Sequence, residues 1–232
     1  MAALEQRQQT VVFIRHGESE AQGKPKQERR LDKYTDCYCS HKGVAQAYSL
    51  PERLGGAEGM SRFSLVVSSP LTRALMTTLL AFRDSDVPIV VHPGCRELGT
   101  DIPENRARSL SDLRADPEVA GLPHFFDVDF GLLPEGWPAV TVATGAQSAA
   151  EAGPAVRWGK GKKDATKKEA RKQALATKNE SFLDWCRAQP HTSIVVVTHH
   201  NFITSLLGGI KVENALPIEC TLNASGLRVV AL

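Results

Sequence analysis

The chain has 232 residues, 42% of them hydrophobic, with 28 basic against 26 acidic side chains and a net charge of +2. That content can bury one substantial core, and single α/β domains often reach this length. No apolar run approaches the roughly 20 residues of a membrane-spanning helix, and so small a net charge singles out no polyanionic partner.

The opening MAALEQRQQT lacks an apolar core for secretion and carries Glu5. The first expected strand covers residues 10–14, where Val11 to Ile14 form a short β-branched run typical of a strand buried on both faces. It runs straight into Arg15-His16-Gly17. In an open α/β sheet, ligands sit just past the carboxyl ends of strands. An arginine there offers a planar fork of donors suited to phosphate, and a histidine can serve as nucleophile or proton carrier. Gly17 lets the backbone turn away close to a ligand. Taken alone, the triplet is equally a strand end with a packed histidine and a surface arginine.

The design recurs along the chain. A helix is expected over 43–54 and a strand over 64–68, after which Ser69-Pro70 opens a helix over 70–82. Serine suits a helix cap and proline its first turn, so Arg73 falls within that turn. A strand over 88–92 leads into Pro93-Gly94-Cys95-Arg96-Glu97. Residues 95–137, with only Leu110 to Ala115 clearly helical, are expected to form a lid, and 138–165 a poorly ordered insertion. A helix over 165–188 and a strand over 193–198 follow, the latter ending in His199-His200-Asn201 ahead of a helix over 202–208. Strands over 217–222 and 227–231 close the chain. This alternation predicts one three-layer α/β domain: a mostly parallel central sheet with helices on both faces.

Five scattered cysteines (Cys37, Cys39, Cys95, Cys186, Cys220) contain no C-x-x-C pair, so reduced thiols in a cytoplasmic protein are expected, without a metal. Between Arg157 and Lys178 stand nine basic and two acidic residues. With no aromatic interleaving, that run is expected to be a solvated loop and helix face, not a nucleic-acid site.

The strand ends suggest phosphoryl transfer, a reaction that needs positioning and charge stabilisation above all. Arg15 and Arg73 would hold the phosphoryl oxygens. His16 would attack phosphorus and form a phosphohistidine. His199, ahead of a helix N-terminus, would share the anion. Glu97 would protonate the leaving alcohol and then activate water.

The same residues resemble the histidine phosphatase, or phosphoglycerate-mutase-like, superfamily. RHGES at Arg15 to Ser19 is similar to its signature, SSPLTRALMT to its second arginine motif and VVTHHN to its second histidine motif. DCYCSHKGVAQA, Asp36 to Ala47, resembles a further family segment, with Cys39 for leucine and Ser40 for threonine. CRELG followed by RSLSDLR resembles a plant and fungal branch, whereas residues 138–178 match nothing recognisable. The resemblance places Glu97 as the family's acid and implies a phosphate contact from Ser19. Gln22 stands where many relatives carry an asparagine that reaches the phosphate, His200 where glycine or serine is common, and Asn201 keeps a residue of mutase-type members; all three are expected to contact the phosphate. The expected activity is hydrolysis of a small phosphorylated metabolite without a cofactor. A cofactor-dependent phosphoglycerate mutase is the runner-up, and a catalytically weak binding module the third reading. Partners are expected to include neither membrane nor nucleic acid, with a homodimer left open. His41, His92, His124 and His191 are expected at the surface or in packing. Arg96, Arg106 and Arg108 are expected on a solvated lid, with a second anion subsite as the alternative.

Overall fold

The computed structural model describes residues 7–25, 27–97, 102–134, 136–138 and 165–231. Six strands form one sheet: β1 (Gln9–Arg15), β2 (Leu65–Ser68), β3 (Ile89–Val91), β4 (Ser193–Thr198), β5 (Pro217–Asn223) and β6 (Gly226–Ala231). Their order is β3-β2-β4-β1-β5-β6. The four strands from β3 to β1 are parallel, and β5 and β6 add an antiparallel hairpin. Every strand expected from the sequence is present, with ends shifted by no more than a residue.

Among the described residues, eight α-helices flank the sheet: α1 (His41–Tyr48), α2 (Leu50–Arg53), α3 (Gly56–Ser61), α4 (Thr72–Ala81), α5 (Leu110–Ala115), α6 (Pro117–Ala120), α7 (Ala165–Ala188) and α8 (His200–Leu206). Alternation along β1 assigns the layers. Val11 and Phe13 share a core with Ile194, Val196, Phe182, Leu183, Phe202 and Ile203, so α7 and α8 cover that face. Val12 and Ile14 share the other core with Val195, Val197, Leu50, Met60, Leu75 and Leu79, from α2, α3 and α4. Strands buried on both faces read as unbroken apolar runs, as SIVVVT does in β4, where Ile194 to Val197 are fully buried.

Local details depart from the expectations. The helix expected over 43–54 is two helices, because Pro51 has no N–H to continue the ladder. Its start is earlier, where Ser40 Oγ accepts from Gly43 N at 3.2 Å. Ser69 does not cap α4. The N-cap is Leu71, and the carboxylate of Asp36 caps the helix from a distance, accepting from Thr72 N at 2.8 Å and Thr72 Oγ1 at 2.9 Å. The last expected helix starts at His200, ahead of 202.

The region 95–137 is more than a lid. Leu113, Val119, Phe125 and Val128 enter the core beside α4, and Asp129 pairs with the outer edge of β3 through Val91 N (2.8 Å) and Ile89 O (2.9 Å). Between Pro138 and Ala165, the expected insertion lies outside the described residues. No helix among the described residues is long and apolar enough to cross a membrane.

Candidate active site

Register brings the histidines together. β1 and β4 are parallel neighbours with Arg15 opposite Thr198, so His16 and His199 leave adjacent strand ends. Their ring centroids are 5.0 Å apart. Arg73, from the first turn of α4, lies between them. Its Nε donates to His16 Nε2 at 3.1 Å and its NH2 to His199 Nδ1 at 3.2 Å. A guanidinium only donates, so both acceptor nitrogens carry lone pairs. The protons therefore sit on the other nitrogens: His16 Nδ1 donates to Gly17 O at 2.6 Å, and His199 Nε2 donates to Ser69 Oγ at 2.7 Å. Burial, then the charges of Arg73 and Arg15, hold the His16 pKa well below its ordinary 6.5. Burial and Arg73 do the same to His199. Both rings are neutral.

Arg73 is itself buried and fully engaged, donating also to the Glu104 carbonyl and to Asn105 Oδ1 at 2.9 Å. Arg15 NH1 donates to Val212 O at 3.0 Å, a carbonyl that His200 Nδ1 also reaches at 3.3 Å. Arg15 Nε and Ser19 Oγ are shut off from solvent and make no hydrogen bond. Unsatisfied buried donors are costly, and two of them beside His16 fit an oxyanion.

These groups line a cavity of about 250 Å³. Of the expected site residues, Arg15, His16, Ser19, Gln22, Arg73, Glu97, His200 and Asn201 form its wall. His199, fully buried, stands behind Arg73 instead of on the wall. Gln22 is mainly a brace: its Oε1 accepts from Ser19 N at 3.0 Å, and its amide pairs with Asn214, whose Nδ2 donates to His16 O at 2.7 Å. The side chain of Asn201 is exposed, and its backbone N donates to Glu97 Oε2 at 3.4 Å.

Glu97 is 8% exposed, and its strand end is pinned from both sides. Thr198 Oγ1 donates to Cys95 O at 2.5 Å and Lys178 Nζ to Arg96 O at 3.0 Å. Lys178 thus departs from the solvated face expected of the basic run: it is buried, and burial brings its pKa down to about 8. Residues 157–164 of that run lie outside the described residues.

The segment from Asp36 to Ala47 clamps the loop that follows His16. Ser40 N donates to Glu18 O at 2.8 Å, and Gln46 Oε1 accepts from Glu18 N at 2.8 Å. Gly17 and Gly43 touch backbone to backbone. A Cβ on Gly17 would lie 2.4 Å from Gly43 O, and one on Gly43 2.0 Å from Glu18 O. Cys39, where the resemblance has leucine, is buried, its Sγ donating to Arg73 O at 3.2 Å.

Arg96, Arg106 and Arg108 do not line the cavity. Arg96 is buried over Trp137, with its pKa lowered by burial to about 10. Arg108 bonds Asp116 at 2.5 Å and Thr72 Oγ1 at 2.8 Å, a structural role, and only Arg106 is a surface residue, paired with Asp32 at 3.2 Å. His92 packs on Phe182 and Trp185, and His124 bonds Arg83 O at 2.9 Å. Arg29, Ile102, Glu104 and Asn105 also line the cavity. No motif of the sequence marked any of these four.

The sequence profile of the histidine phosphatase superfamily (branch 1) matches residues 11–118, which hold Arg15, His16, Arg73 and Glu97. Over those residues the chain is similar to that superfamily. No relative is found among curated protein sequences. Among solved structures, a phosphoglycerate mutase from Bacillus anthracis str. Sterne is similar, with TM-score 0.56, 19% identity, 99% of this chain and 95% of that one covered. A putative alpha-ribazole-5'-P phosphatase from Escherichia coli K-12 gives TM-score 0.53 and 18% identity over 97% of this chain and 95% of that one. A mutant phosphoserine phosphatase from Entamoeba histolytica, in complex with phosphoserine, gives 0.51 and 18% over 96% and 95%. At such identities the likeness is one of fold, an α/β sheet with helices on both faces.

Proposed function

We propose that the protein is a phosphatase that hydrolyses a small phosphomonoester through a phosphohistidine on His16. The observation that carries this reading is the His16 ring, with its tautomer locked by Gly17 O and Nε2 presented beside Arg73 and the unpaired donors of Arg15 and Ser19. Nε2 attacks phosphorus in line, and the bond from phosphorus to the leaving oxygen breaks as Glu97 gives that oxygen a proton. Water then attacks the phosphorus, gives its proton to Glu97 and breaks the P–N bond, which releases orthophosphate and restores His16.

Arg15, Ser19 and Arg73 hold the phosphoryl oxygens, the Arg73 Nε–H passing from His16 to an oxygen as the P–N bond forms. His199 acts through Arg73 by accepting from its NH2. Gln22 holds the Ser19 turn, His200 shares the Val212 carbonyl with Arg15, and the backbone of Asn201 sets the Glu97 carboxylate. Such a catalyst works as one domain on a small phosphorylated metabolite in the cytoplasm.

The test is to incubate the protein with a panel of phosphorylated metabolites, quench, and locate the phosphoryl group by mass spectrometry. An acid-labile, base-stable group on His16 together with orthophosphate release is the expected result. A phosphoryl group on serine overturns the mechanism. Isomer formation without orthophosphate makes the protein a mutase.

A further inference from the structure

Arg29 is the one arginine of the cavity wall whose guanidinium fork is uncommitted. It stands on the short 3-10 turn Glu28–Arg30, and its Nε donates to Ala21 O at 2.8 Å. That bond ties the side chain to the nucleophile loop, since Ala21 is fully buried two residues past Ser19. The turn is braced on its other side, where Glu28 Oε1 accepts from Tyr34 OH at 2.8 Å and Lys33 Nζ at 3.2 Å. Among the described residues, Arg29 NH1 and NH2 have no partner. By contrast, Arg73 uses Nε, NH1 and NH2, and Arg15 anchors NH1 on Val212 O.

We propose that Arg29 is a second anion subsite, so that the preferred substrates carry a carboxylate or second phosphate besides the phosphomonoester. The proposal rests on the phosphatase reading, in which the first phosphoryl group is taken by Arg15, Ser19 and Arg73. The remaining ionisable wall groups are His200, whose Nδ1 is turned to the Val212 carbonyl at 3.3 Å, and two carboxylates, Glu97 and Glu104, which repel a second anion placed near them. Arg29 is therefore the group that can receive it, and its planar fork matches a carboxylate or phosphate edge with two parallel hydrogen bonds. A cavity of about 250 Å³ restricts both anions to one compact molecule.

Three probes on one carbon skeleton test this: 3-phosphoglycerate with a carboxylate, glycerol 1,3-bisphosphate with a second phosphate, and glycerol 3-phosphate with a neutral hydroxymethyl. Orthophosphate release gives kcat/KM for each with the wild type and with Arg29→Gln. The wild type is expected to prefer one or both probes that carry a second anionic group over glycerol 3-phosphate by roughly tenfold or more, the worth of a charge-assisted pair. Arg29→Gln should collapse that ratio, mainly through KM. Which of the two probes loses its advantage names the anion. A wild type that turns over glycerol 3-phosphate with no preference, or a ratio unchanged in Arg29→Gln, overturns the subsite alone. Orthophosphate release from none of the three overturns the proposal together with the hydrolase reading.

Discussion

The Nε–H of Arg73 points at Nε2 of His16 from 3.1 Å, so the single lone pair of that nitrogen is held by Arg73 and the ring stays neutral. A cation beside a buried imidazole opposes its protonation. NMR of the His16 ring is expected to show a single Nδ1–H tautomer persisting below pH 6, where a free imidazole is mostly protonated. Titration near pH 6.5 would contradict the arrangement.

The same burial couples pH to stability. His16, His199 and His92 all have folded pKa values below the unfolded 6.5, His92 at about 4 through burial. Above pH 6.5 neither state is protonated and the three contribute nothing. Below it the unfolded chain takes up protons that the folded one refuses, so stability falls as pH drops. Each histidine contributes about 1.4 kcal/mol per pH unit in that window. Urea unfolding between pH 6.5 and 5 should show this slope, and His92→Asn should reduce it by about one histidine's share.

Glu97 is expected to matter in proportion to how poor the leaving group is. Glu97→Gln should slow an alkyl phosphate by roughly 10²-fold or more and p-nitrophenyl phosphate much less. Equal losses on both substrates would shift the acid to Glu104, the other carboxylate on the cavity wall.

Gly43→Ala should cost more than about 2 kcal/mol and most of the activity, because a new Cβ meets the Glu18 carbonyl at 2.0 Å. Gly23→Ala is the matched control. Nothing lies within 4 Å of its Cβ, and thermal denaturation should place it within about 0.5 kcal/mol of wild type.

Lys178 carries a pH signature of the same sign at higher pH. Its folded pKa of about 8 lies below the ordinary 10.5, so between those values the unfolded state binds more protons. Wild-type stability should therefore rise through that window relative to Lys178→Met, by on the order of 3 kcal/mol at most. The substitution also frees the Arg96 carbonyl, so alkyl phosphate turnover should fall as it does in Glu97→Gln. A pH-independent difference between the two proteins would show that Lys178 stays charged.

The strands and the residues that end them were readable from the sequence, because a buried parallel strand is a short apolar run and its end is marked by a change of chemistry. Arg15, His16, Glu97 and His199 stand at such ends, and Arg73 opens the helix after another. Their convergence follows from the parallel order of β2, β4 and β1, which places their carboxyl ends side by side. What the tertiary structure alone decided is which side chains are committed to one another. Asp36 caps α4 across 36 residues, Asn214 holds the His16 carbonyl across 198, and Lys178 leaves a lysine-rich run to hold the Arg96 carbonyl next to Glu97. Local periodicity carries no trace of such contacts, because hydrogen-bond partners distant in sequence are chosen by chain topology. The same holds for Arg29: its sequence neighbours are those of any surface turn, and only the packing of residues 28–30 against 103–105 brings its fork to the cavity.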